Sequence, residues 1–89
     1  MEERTVTIQN KTGLHMRPAG EMVRIASGFH ADISIVKDDL SVNGKSIIAL
    51  ITLAAESGSS ITIRAEGEDA TEAVDALVNI VERNFGEDE

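Results

Sequence analysis

The chain has no cysteine, no tryptophan and no tyrosine, and its one proline is Pro18. Without thiols there is no disulfide frame, no cysteine-bound zinc and no catalytic thiol, which fits a reducing compartment. The two aromatic residues are Phe29 and Phe85, so the core must be aliphatic. No apolar run approaches the roughly 18 residues of a membrane span, and the opening MEERTVTIQN carries no signal-peptide core. A soluble, cytoplasmic chain with no membrane partner is expected. Positive charge is scarce too, with a net charge of −8. Residues 1–52 balance, with six basic and six acidic side chains, whereas residues 53–89 carry two basic and ten acidic. Such a chain lacks both a phosphate-neutralising face and stacking platforms, which argues against a nucleic-acid partner. The acidic excess reads as a solvated helix face.

The 89 residues are enough for one domain, residues 1–89, near the lower limit for a single core. Repeats, linkers and low-complexity stretches are missing. Apolar residues alternate in RTVTIQ (4–9), ADISIV (31–36) and SITIRAEG (60–67), and LSV (40–42) reads as a short return strand after an Asp38-Asp39 turn. Helical spacing joins Ala19, Met22, Val23, Ile25 and Ala26, with Gly28 as a stop. A second, short helix covers about 47–53. A third places Ala73, Val74, Leu77, Val78, Val81 and Phe85 on one face, closed by Gly86, with Asp69 and Glu72 spaced as a capping box. The EDE tail is expected to fray. The order βαββαβα, with one polar face on every strand, predicts an α+β fold: one antiparallel sheet, helices on one side and water on the other. Thr5, Thr7, Ser34, Ser41, Thr62 and Arg64 face outward, so the open face offers no apolar docking patch.

The chemistry concentrates in NKTGLHMRPAG (10–20). With His15 at the N-cap of the first helix, Met16, Arg17 and Pro18 form its first turn. Proline is tolerated there because first-turn N–H groups lack intrahelical partners. The positive end of the helix disfavours an imidazolium and leaves the ring nucleophilic, while the same end favours an anion. That combination suits reversible phosphoryl capture on His15, with Arg17 able to fork onto phosphate oxygens. Gly13 permits a tight turn and close approach. On spacing alone the plainer alternative stays open, in which His15 is only a cap and Arg17 a surface charge. His30 reads as a turn residue. A His15–His30 metal pair lacks supporting carboxylates or thiols, so no metal site is expected.

NKTGLHMRPAG together with NGKSIIAL (43–50) resembles the HPr family of histidine-containing phosphocarriers, over essentially all 89 residues. The resemblance implies an open-faced β-sandwich of four antiparallel strands with three helices on one face. It implies that His15 accepts a phosphoryl group through Nδ1 from phosphorylated enzyme I and passes it to enzyme IIA domains of sugar permeases. The protein would be a monomeric carrier with no cofactor, not a turnover enzyme. A regulatory paralogue in a nitrogen-type or incomplete phosphotransferase pathway is the alternative. Arg17 matches the arginine that attends the phosphohistidine, and Ser46 the serine that an HPr kinase/phosphorylase modifies in many bacteria.

The residues themselves make Ser46 an N-cap of the short helix, without a reciprocal partner because residue 49 is Ala. Ile47, Ile48 and Ile51 cannot all face inward on so short a helix. Ile47 or Ile48 should be exposed and, with Met16, form a docking patch rimmed by Arg17, Arg24 and Lys45. Gly20 weakens the first helix, and Glu21 sets a negative charge near this patch.

Overall fold

Side-chain alternation decides the sheet. In the computed structural model, which describes residues 1–86, the chain runs β1 (Glu2–Thr7), α1 (Met16–Ala26), β2 (Asp32–Lys37), β3 (Leu40–Asn43), α2 (Ile47–Thr52), β4 (Ser60–Glu66), α3 (Ala70–Glu82) and a 3-10 turn at Asn84–Gly86. The EDE tail lies outside the described residues. The strands form one antiparallel sheet in the order β1-β4-β2-β3. Pairing sets Val6 opposite Ile61, Ile35 opposite Ile63 and Ile33 opposite Ala65. All six are buried. α3 lies over β1 and β4, α2 abuts β3, and α1 packs against both other helices. This is the expected α+β open-faced sandwich.

The opposite face of the sheet is polar and self-satisfied. Thr5 and Thr62 share a hydroxyl hydrogen bond of 2.9 Å, and the Arg64 guanidinium reaches Glu3 at 2.9 Å. Arg4 falls on the helix side but at the sheet edge, where it pairs with Asp75 of α3 at 3.5 Å.

β1 is shifted from the expected 4–9 to Glu2–Thr7, because Glu2 and Glu3 pair with Ala65 and Arg64. Ile8 is beyond the strand yet fully buried, held by Ile8 N–H to Ser59 O at 2.8 Å and Gly58 N–H to Ile8 O at 2.7 Å. The expected capping box of α3 does not form. Asp69 stands at the N-cap, but its carboxylate accepts instead from the backbone N–H groups of His30 and Ala31, both at 2.8 Å. It thereby ties the α1–β2 loop to the start of α3. α3 also stops before Phe85. Asn84 and Phe85 both take left-handed backbone angles, φ 55 and 57°, and the kink folds the phenyl ring into the core.

Candidate functional site

The loop into α1 is fixed before any catalytic side chain is reached. Asn10 is completely buried, and its amide Nδ2 donates to Gly13 O at 2.8 Å. Gly13 N–H returns to Asn10 O at 3.2 Å, and His15 N–H donates to Gly13 O at 3.1 Å. Leu14, buried, donates its N–H to Ala55 O at 2.8 Å. Gly13 has φ 72°, and a Cβ there would sit 2.6 Å from Ala55 O and 2.9 Å from Glu56 Cα. Glycine is thus required both for the turn and for seating the loop on residues 55–56.

His15 is the N-cap of α1, with extended backbone (φ −95°, ψ −166°), and its carbonyl accepts from Ala19 N–H at 2.9 Å. Its imidazole makes no capping bond to the helix and the residue is exposed. The N–H groups of Met16 and Arg17 precede the first intrahelical bond, so they face the end of the helix that carries the imidazole. Pro18 is buried in the first turn. Arg17 is exposed, as is Met16 at 65%.

Further along α1, Arg24 forks onto Glu21, with Nε–Oε2 at 3.2 Å and Nη2–Oε1 at 2.9 Å. The hydrogen bond from Arg24, then its charge and that of Arg17, hold the Glu21 carboxyl below the usual carboxylate range. The same pairing raises the Arg24 guanidinium.

α2, packed beside α1, supplies the rest. Ser46 is its N-cap, and Oγ accepts from Ala49 N–H at 3.2 Å, a one-sided cap with no reciprocal partner. Ile48 is 77% exposed, whereas Ile47 and Ile51 are half-buried. Lys45 turns its ammonium onto Phe29 O at 2.7 Å, beyond the C-terminus of α1. Two of the three cations expected to rim the patch, Arg24 and Lys45, thus already hold intramolecular acceptors. Sequence reasoning missed Asn10 and the 54–56 segment. Asn10 opens the motif, but nothing in its neighbours signals burial. The backbone of Ala55 leaves no sequence trace.

An open sheet, three helices on one face and an exposed histidine opening α1 define the layout of a small phosphocarrier domain. The model of the family described as "PTS HPr component phosphorylation site" matches residues 2–83. "Phosphocarrier protein HPr" of Neisseria meningitidis is 39% identical over 89 residues, covering 100% of both chains. "HPr-like protein Crh" of Halalkalibacterium halodurans is 46% identical over 83 residues, 93% of this chain and 99% of that one. The crystal structure of HPr-C-His from Thermoanaerobacter tengcongensis superposes with a TM-score of 0.96 at 45% identity, covering 100% of each chain. A structure described as the HPr dimer of that organism gives a TM-score of 0.79 at 46% identity, covering 98% of this chain and 100% of the other. The chain belongs to the HPr family of phosphotransferase-system phosphocarriers.

Proposed function

We propose that this chain, acting as a single HPr-like domain, carries a phosphoryl group on His15 between phosphorylated enzyme I and enzyme IIA domains. The carrying observation is the placement of His15: exposed, at the N-cap of α1, on a loop locked by Asn10 and Gly13. A lone pair of the imidazole, at Nδ1, attacks phosphorus. The bond to enzyme I breaks as the new N–P bond forms, and the same step runs outward to the next acceptor. The first-turn N–H groups and the helix dipole stabilise the added negative charge, and Arg17 forks onto its oxygens. No cofactor takes part, and the group leaves with the next acceptor, so the protein is a carrier and not a turnover enzyme.

Docking uses the exposed Met16 and Ile48, with Ile47 and Ile51 beneath and Arg17, Arg24 and Lys45 around them. Such a patch is small enough for transient complexes. Ser46 is the regulatory site for an HPr kinase/phosphorylase, since a phosphate there adds charge beside this patch. The chain works as a cytoplasmic monomer. Its edge strands support this: β1 opens with Glu2, Glu3 and Arg4, and β3 is only four residues long, both features that discourage edge-to-edge pairing. Similarity to Crh as well as HPr keeps a second reading, a regulatory paralogue in a nitrogen-type or incomplete pathway. Neighbouring sugar-permease genes would favour the first reading, and a kinase gene without permeases the second.

Incubation with enzyme I and labelled phosphoenolpyruvate tests the proposal. One acid-labile, base-stable phosphate per chain is expected, absent from His15→Ala. Equal labelling of that variant removes His15 from the reaction.

A further inference from the structure

Arg17, Glu21 and Arg24 stand at positions i, i+4 and i+7 of α1 and therefore share one face of the helix. Glu21 sits between the two cations. It is gripped by one edge of the Arg24 guanidinium, Nη2 at 2.9 Å and Nε at 3.2 Å, and its side chain is the less exposed of the pair, 35% against 67%. Arg17, one turn back, adds its field to the same carboxylate. The face following His15 thus carries a net charge of one cation where the sequence supplies two. Glu21 takes the Nε edge of Arg24 and leaves Nη1 outside the fork, so Arg24 meets an outside carboxylate with its charge already offset.

A counter-ion on the same helix has a high effective concentration. A partner carboxylate that approaches Arg24 meets the repulsion of Glu21, and must displace it to gain the Nε edge. Resting on the phosphocarrier reading, we propose that Glu21 is a specificity-determining residue: an intramolecular counter-ion that offsets the charge of Arg24, screens Arg17 and sets how tightly acidic partner surfaces engage α1. The partner chemistry follows from the stripe itself, since two arginines one turn to either side of a displaceable carboxylate fit a surface presenting carboxylates at similar spacing.

The test is steady-state phosphotransfer from enzyme I at low and at physiological salt. It compares the wild type, Glu21→Gln, Arg24→Gln and the double variant, each shown folded by circular dichroism. Glu21→Gln should lower the KM for the carrier about two- to fivefold, the range an exposed ion pair commands, with kcat little changed and a steeper salt dependence. Arg24→Gln, which removes a cation of the docking rim and leaves Glu21 without its partner, should raise KM, and adding Glu21→Gln should bring it back towards the wild-type value. A merely structural ion pair would not give opposite shifts from its two halves, since loss of either partner breaks it alike. An unchanged or raised KM in Glu21→Gln, or a KM that the two single substitutions shift in the same direction, overturns the proposal. Phosphate on wild-type His15 is the separate control: without it the carrier reading falls too, whereas a labelled wild type with an unaltered Glu21→Gln sinks the role of Glu21 alone.

Discussion

At the scale of single residues, charge placement gives the clearest expectations. Asp69 accepts two backbone N–H bonds, from His30 and Ala31, and the first of these is the largest cause holding its carboxyl below the ordinary 3.8. A carboxyl lowered in the folded state stabilises the protein above its unfolded pKa and loses that contribution as pH falls through the lower folded value. Thermal unfolding followed from neutral pH to below pH ~4 should show this acid-sensitive portion in the wild type. Asp69→Asn should flatten it, and an unchanged acid profile would show that the tie contributes nothing. Arg17, exposed and outside the core, should be removable without harm to the fold. Arg17→Ala is expected to slow transfer by about tenfold or more, the scale of a charge-assisted bond to phosphate, with an unaltered unfolding midpoint. Unchanged transfer kinetics would take Arg17 out of the site. His15 and Ser46 were legible as caps because cap positions obey local rules. Asp69 was legible only in position, since its ligands come from a loop 38 and 39 residues away.

Among the elements, the strands were the most readable, because alternation reports burial directly on a one-sided sheet. Helix ends were less so. Apolar spacing runs on to Phe85, and nothing local announces that Asn84 and Phe85 leave the helix through left-handed angles. The helices also carry correctable flaws. A Cβ added at Gly20 would meet nothing within 4 Å. Gly20→Ala should therefore stabilise the protein by about 0.5–1 kcal/mol in denaturant titration, and a loss would reveal an unseen clash. Gly13→Ala is the opposite case: its Cβ would press on Ala55 O and Glu56 Cα. It should destabilise the fold by about 2 kcal/mol or more. Just past α2, Ala54 takes φ 51° and donates its N–H to Ile51 O at 3.0 Å, the place where glycine usually ends a helix.

For the whole molecule, the uneven charge matters most. The acidic excess lies beyond residue 52, while His15, Arg17, Arg24, Lys45 and Ser46 all belong to the balanced part of the chain. A new negative charge at residue 46 therefore enters the region that the docking account requires to be cationic. Ser46→Asp should weaken binding to enzyme I by about tenfold, roughly 1.4 kcal/mol, and equal affinity in calorimetry would dismiss that electrostatic account. The overall topology was legible because each element declares its inward face. The packing of α1 beside α2 entered only with the family resemblance, as the shared patch of Met16 with Ile47 or Ile48, because contacts between helices lie far apart in sequence.

A phosphoryl group on His15 would lie against the first amides of α1. Amide NMR spectra of the chain, recorded before and after phosphorylation by enzyme I and phosphoenolpyruvate, test it most directly. The largest shifts should fall on the amides of Met16 and Arg17, with one phosphorus resonance of phosphohistidine type. Shifts centred on His30 or elsewhere, with Met16 and Arg17 unmoved, would contradict that placement.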